Sequence, residues 1–252
     1  MQVLIKDSAD QAVAWVAAAI TNALRAKPSL VLGLATGRTM ESVYAELVRQ
    51  HREQGLDFGA CRTFNLDEYL GLAPDDANSY HYYMDRHLFS GVNLKPANTR
   101  LPLGNATDPD AECDRYEQAI RKCGGIDLQL LGIGLSGHIG FNEPLSAFTS
   151  RTRVAALAPA TLAQNGPLFG SGQAMPAHGM TMGVGTILDS RRCILLATGA
   201  DKAEILARAV EGPLTSRITA SALQWHADCT IVIDAAAASR LEHAAEYRAM
   251  FG

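Results

Sequence analysis

Short continuous apolar runs alternate along the chain with longer stretches whose apolar positions return every three or four residues. The first pattern predicts strands buried on both faces of a sheet, the second amphipathic helices. QVLIK at 2–6 reads as a strand, Asp7 or Ser8 as a helix cap, and DQAVAWVAAAITNALRA as an Ala-rich helix ended by Pro28. The unit then repeats, SLVLGLA running through the turn TGRT into the helix MESVYAELVRQ. Further strands are predicted at CRTFNL, IDLQLLGIG, RRCILLAT and CTIVID, and helices at ADKAEILARAV and over the closing AAAASRLEHAAEYRAM. Such alternation predicts an α/β fold with a mostly parallel sheet flanked by helices, and residues 1–252 are read as one domain.

Ligands of open α/β sheets gather at the carboxyl ends of the strands. That rule directs attention to TGRT, DEYLG, LSGHIGFNEP and TGADK. The tetrapeptide LATG closes a strand twice, at 34–37 and 196–199. The region 156–180, rich in Gly, Pro, Ala and Gln, reads either as a mobile lid over the site or as a plain surface loop.

Composition narrows the function. With 252 residues, 48% of them hydrophobic, the chain can bury a substantial core. A formal charge of −4 gives no general attraction to nucleic acid or to an anionic membrane, so an anionic ligand must be held locally. A small polar metabolite is the expected partner. The 5 cysteines are dispersed and odd in number, without a C-x-x-C pair, which suits free thiols in a reducing compartment. The stretch AVAWVAAAI is too short to span a bilayer and follows Lys6, Asp7 and Asp10, so a cytoplasmic protein is expected. A homo-oligomer stays open, and no metal or cofactor is called for.

Four strand ends carry candidate chemistry. The turn Thr36–Gly37–Arg38–Thr39 offers helix-start amides, two hydroxyls and a guanidinium to an anion such as phosphate, unless its Thr and Gly serve geometry alone. Lys202 opens the helix after TGADK, where a cation opposes the helix dipole and a bound anion would compensate it. Asp67 and Glu68 leave a strand side by side, so one faces the crevice while the other makes structural hydrogen bonds. A carboxyl in a partly dry crevice suits a base taking a proton from carbon. His138 stands between Gly137 and Gly140, with Glu143 five residues on as a group able to orient its imidazole.

These stretches resemble the glucosamine-6-phosphate deaminase/isomerase family, with 6-phosphogluconolactonases as cousins. The likeness runs through GLATGRT, TFNLDEYLGL with NSYHYYM, IDLQLLGIGLSGHIGFNEP with TSRTRV, MTMGVGTILD and LLATGADKAEILARAVEGP. GHIGFNEP favours the deaminases, since lactonases typically continue GHTASLFP. The resemblance implies a Rossmann-like fold and conversion of an amino-sugar 6-phosphate and water to a ketose 6-phosphate and ammonia, with no metal or redox cofactor. It implies Asp67 as the base that moves the C2 proton to C1 through an enolamine, His138 as the group that opens the ring, and Glu143 as the histidine's support. Residues 36–39 and Lys202 would hold the phosphate.

Three departures modify that expectation. Ser136 stands where the deaminase motif has Asp, a catalytic-site serine that can orient the imidazole by hydrogen bonding but cannot stabilise its cation by full charge, which leaves gluco or galacto substrate configuration open. Pro167 stands where an NSRFF-like segment carries a phosphate-binding Arg, a loss for which Arg38 would compensate. Arg153 is present but Ala155 replaces the Lys of the family's allosteric site and the chain ends at Gly252, so no such activation is expected. The competing readings are a sugar-phosphate lactonase and a non-catalytic sugar-phosphate sensor.

Overall fold

The structure, a computed structural model, describes residues 1–170 and 173–252. Its strands are β1 (Gln2–Lys6), β2 (Val31–Leu34), β3 (Arg62–Asn65), β4 (Asp67–Tyr69), β5 (Thr99–Arg100), β6 (Leu128–Leu131), β7 (Arg153–Ala156), β8 (His178–Thr181), β9 (Cys193–Ala197) and β10 (Cys229–Asp234). Its α-helices are α1 (Ala9–Ala26), α2 (Arg38–Gln54), α3 (Tyr80–His87), α4 (Pro109–Lys122), α5 (Pro159–Asn165), α6 (Val184–Leu188), α7 (Ala203–Val210) and α8 (Ala244–Phe251).

Seven strands form a parallel sheet in the order β1-β10-β9-β6-β2-β3-β5. Helices begin where the sequence offers caps: Ser8 Oγ accepts the Gln11 N–H at the start of α1, and Asp108 does the same for Ala111 ahead of Pro109. Ala12, Val16, Ala17, Ile20 and Leu24 make one buried stripe of α1, directed at β9, β10 and α2. Tyr116 of α4 packs edge-on against Phe64 of β3, with ring centroids 5.6 Å apart.

Beyond these expectations lies a second, antiparallel sheet, β4-β8-β7. The chain changes sheets at Leu66, whose N–H donates to Leu34 O of β2 while its carbonyl accepts the Met182 N–H just after β8. DEYLG is therefore not a loop after a strand: Asp67, Glu68 and Tyr69 are themselves strand β4, paired with Thr181, Met180 and Gly179. The closing helix is also shorter than its Ala-rich pattern suggests. Only 244–251 is helical, because Asp234, the last residue of β10, takes the Ala237 and Ala238 N–H groups into a turn that diverts the chain. Region 156–180 contains the helix α5 and a 3₁₀ turn at Gly166–Phe169. Ser171 and Gly172 of that region lie outside the described residues.

The winding places the site. From β2 the chain moves outward through β3 to β5, then returns to pair β6 on the other side of β2 and continues through β9 and β10. The loops after β2 and β6 thus flank the reversal point, where the carboxyl ends of an α/β sheet leave a crevice. No helix is long and apolar enough to cross a membrane, among the described residues.

Candidate active site

A cavity of about 680 Å³ opens at that crevice. Residues Ala35–Glu41 line it from the end of β2, Gly132–Leu135 and His138 from β6, Leu196–Thr198 with Asp201 and Lys202 from β9, and Asp67 with Tyr69 from β4. The strand ends singled out in the sequence therefore converge on one volume.

One end gathers helix amides, hydroxyls and two cations, with the acids Glu41 and Asp201 beside them. Gly37, at φ +113, forms the cap of α2 with no side-chain hydrogen bond to the helix amides, so these remain available to an anion. Arg38 and Thr39 begin that helix at the cavity wall. Lys202 Nζ donates to Ile133 O at 3.1 Å. Burial, aided by nearby Arg38 and opposed by Asp201, holds the Lys202 ammonium below its ordinary pKa. Two cations facing one small cavity invite an anion there.

At the other end Asp67 is 6% exposed. Burial, with the charge of Glu68 adding to it and the Phe141 N–H opposing it, pushes its carboxyl from 3.8 up to about 8. β4 sends the two acids to opposite sides: Asp67 faces the cavity, whereas Glu68 is fully buried away from it and accepts the N–H groups of Tyr69, Tyr80 and His81. Tyr69, Tyr80, Phe141 and Phe169 form an aromatic wall beside Asp67, and Asn165 of α5 donates to the Tyr69 hydroxyl at 3.1 Å. The irregular region thus supplies part of the cavity wall through Gln164, Asn165, Leu168 and Phe169.

Between the two ends sits His138. Its Nδ1 lies 2.8 Å from Ser136 Oγ and 3.0 Å from Glu143 Oε2, and among the described residues Nε2 has no hydrogen-bond partner. Glu143 also accepts hydrogen bonds from Thr161 Oγ1 and the Ala158 N–H at the start of α5. Burial raises its pKa, but the bonds from His138, Thr161 and Ala158 outweigh that and hold the carboxyl below its usual range. Ser136 and Glu143 stand behind the imidazole and not on the cavity wall. The ring packs directly over Gly134, where a Cβ would come within 2.1 Å of Nε2. Asn142 clamps the same loop, donating to Ile139 O and Met182 O and accepting from Arg153 Nη1 at 2.8 Å. Pro167 lies in the 3₁₀ turn and does not line the cavity.

The model of the family described as glucosamine-6-phosphate isomerases/6-phosphogluconolactonase matches residues 5–232. The chain belongs to this family. It is similar to the glucosamine-6-phosphate deaminase of Shewanella loihica, 50% identical over 98% of this chain and 91% of that one. The deaminase of Cellvibrio japonicus is 46% identical over 98% and 94% of the two chains. A solved monomeric glucosamine-6-phosphate deaminase matches with a TM-score of 0.93 at 44% identity, over 95% of this chain and 100% of that one. The 6-phosphogluconolactonase of Trypanosoma brucei, with a TM-score of 0.70 at 21% identity over 95% and 98%, shares the fold.

Asp67, His138, Thr36, Gly37, Arg38, Thr39 and Lys202, each predicted from sequence, all border the cavity. Sequence reasoning from chemistry alone passed over Tyr69, Tyr80 and Asn165. The signal was present in the aromatic NSYHYYM run after TFNLDEYLGL, but aromatic residues at helical spacing are ordinarily core. Among the described residues, no group of three His, Cys, Asp or Glu side chains is placed to hold a metal ion.

Proposed function

We propose that the chain is a glucosamine-6-phosphate deaminase/isomerase, acting as one domain on a small-molecule sugar phosphate. The observation that carries this reading is the meeting, in one cavity, of a buried carboxyl, an imidazole braced at Nδ1 and a cationic anion cradle. The high identity to deaminases over nearly the whole chain supports the glucosamine configuration.

Phosphate binds the α2 amides, Arg38 and Lys202, with Thr36 and Thr39 adding hydroxyl donors. The sugar then extends toward Asp67. His138 Nε2 takes the C1 hydroxyl proton and returns it to the ring oxygen, opening the ring. The Nδ1 proton meanwhile stays on the Ser136–Glu143 side. Asp67 removes the C2 proton to give an enolamine and delivers it to C1. Water adds to the resulting C2 imine and ammonia leaves, so the sum is glucosamine 6-phosphate and water to fructose 6-phosphate and ammonia. The substrate's ammonium favours the ionised form of Asp67, readying the base when substrate is in place. Free thiols at all five cysteines support a cytoplasmic location.

The experiment is release of ammonia with matched ketose 6-phosphate from glucosamine 6-phosphate and galactosamine 6-phosphate, by wild type and Asp67→Asn. Turnover that falls by roughly 10² to 10⁴ in the variant, the scale of a lost general base, supports the reading. Absence of turnover with both sugars refutes it.

A further inference from the structure

Glu68 is a buried acid behind the cavity wall to which the proposed reaction gives no task. Its side chain is fully buried, with no wall on the cavity, yet it is the chain neighbour of Asp67. Such an acid is costly to bury unless its charge is matched by donors. The matching is complete and mostly backbone. Oε1 accepts the Tyr69 N–H at 2.8 Å and the Tyr80 N–H at 3.0 Å; Oε2 accepts the His81 N–H at 3.1 Å and lies 2.9 Å from His81 Nδ1. Two of those amides belong to the first turn of α3, whose dipole also favours an anion. The fold therefore invests the start of a helix in keeping a negative charge one residue from a second buried carboxyl.

We propose that Glu68 is a positioning residue whose fixed negative charge, held by the start of α3 behind strand β4, keeps the base Asp67 strongly proton-binding. This rests on the reading of Asp67 as the base. A weakly basic carboxylate is a poor acceptor for a proton on carbon, and its basicity rises when a like charge is locked nearby in a low-dielectric setting. The titratable groups that face Asp67 besides Glu68 are the phenols of Tyr69 on β4, Tyr80 on α3 and Tyr116 on α4, with His138 across the cavity. The three phenols are all pushed up by burial and stay neutral through the working range, whereas the Glu68 carboxylate is the group that backbone amides and His81 surround with donors. Glu68 is in turn faced by His81, whose side chain is 23% exposed and joins this pair to solvent.

The test is kcat/KM against pH with glucosamine 6-phosphate for the full chain, its Glu68→Gln and His81→Arg variants, and Asp67→Asn. Ionisations of the substrate are common to all four and cancel in the comparison. Glu68→Gln should move the acid limb of the profile toward acid by on the order of one pH unit, the scale of a lost like-charge neighbour. Its rate on the alkaline plateau should fall as well, because the base is weaker. A purely structural Glu68 would lower the rate at every pH and leave the limb in place, and that result overturns the proposal. His81→Arg sets a permanent cation against Oε2 at a partly exposed position, so it decides the question even if Glu68→Gln does not fold. The limb should again move toward acid, by less, and an unmoved limb overturns the proposal. Should Asp67→Asn retain the wild-type rate, the assignment of the base fails instead, a distinct outcome.

Discussion

Replacing Asp67 with Asn should make the protein inactive and, in alkaline solution, more stable. The carboxyl is moved from 3.8 to about 8 by its surroundings. A shift of about four units, at about 1.4 kcal/mol each, corresponds to roughly 6 kcal/mol of disfavour for the ionised form if no water relieves it. The sign follows from proton counting. Between about pH 4 and 8 the folded chain holds a proton on Asp67 that the unfolded chain has lost, so stability falls as pH rises through that window, and above it the whole cost is present. Asn carries no ionisation and escapes the cost. Water filling the cavity beside Asp67 hydrates the carboxylate and reduces the figure, so we expect Asp67→Asn to exceed wild type by about 2 kcal/mol at pH 9 and by little at pH 5. For a chain of this length that is about 5 °C in Tm. Thermal unfolding by circular dichroism at both pH values, without phosphate or sugar, measures the difference. A Tm difference that is the same at pH 5 and pH 9, or that favours wild type at pH 9, refutes burial of a proton-binding carboxyl as the source of the trade.

Other consequences are equally direct. Arg38→Ala should raise KM for the sugar phosphate by about tenfold with kcat little changed, and Lys202→Ala by more, as loss of charge-assisted contacts predicts; inorganic phosphate inhibition should weaken in parallel, and an unchanged KM for Arg38→Ala removes it from the anion cradle. Ser136→Ala deletes one neutral hydrogen bond to His138 and should lower kcat by about 3- to 10-fold, whereas Glu143→Gln, which removes the only carboxylate on Nδ1, should cost about 100-fold. Equal losses for the two would contradict the division of labour drawn from the geometry. Gly134→Ala drives a methyl into the imidazole and should abolish most turnover while near-native circular dichroism persists; full activity would show that the ring need not occupy the space over residue 134.

The parallel sheet was legible because strands buried on both faces leave continuous apolar runs, as CILLA and CTIVID do, and because ligand groups collect where such runs stop. For that reason Asp67, His138, Arg38 and Lys202 could be picked out before any contact was known. What escaped was non-local. β4, β7 and β8 are short, and the partial exposure of β7 blurs its period, so the sheet depends on non-local pairing, with β4 and β8 more than a hundred positions apart, and not on local pattern. The helical reading of 235–243 failed because alanine favours helix anywhere, while Asp234 turns the chain, its carboxylate accepting the Ala237 N–H and its carbonyl the Ala238 N–H. The sharing of His138 between Ser136 and Glu143 was anticipated in kind, since a hydroxyl and a carboxylate two and five residues from an imidazole in a glycine-rich loop can both reach it. That Glu143 also ties down α5 was not, because Thr161 is far along the chain and has no sequence mark.

Leu66 belongs to both sheets at once, its amide bonded to one and its carbonyl to the other. A residue bonded into two sheets cannot shift with one of them alone. Asp67, the next residue, shares that anchorage, whereas Leu168 and Phe169 come from the 3₁₀ turn after α5 and belong to neither sheet. The part of the wall they form can be exchanged without touching the backbone that carries the carboxyl. Mounting Asp67 at the join of two sheets thus separates the shape of the cavity from the aim of its carboxyl, so the wall can be remodelled for a different sugar without re-aiming it.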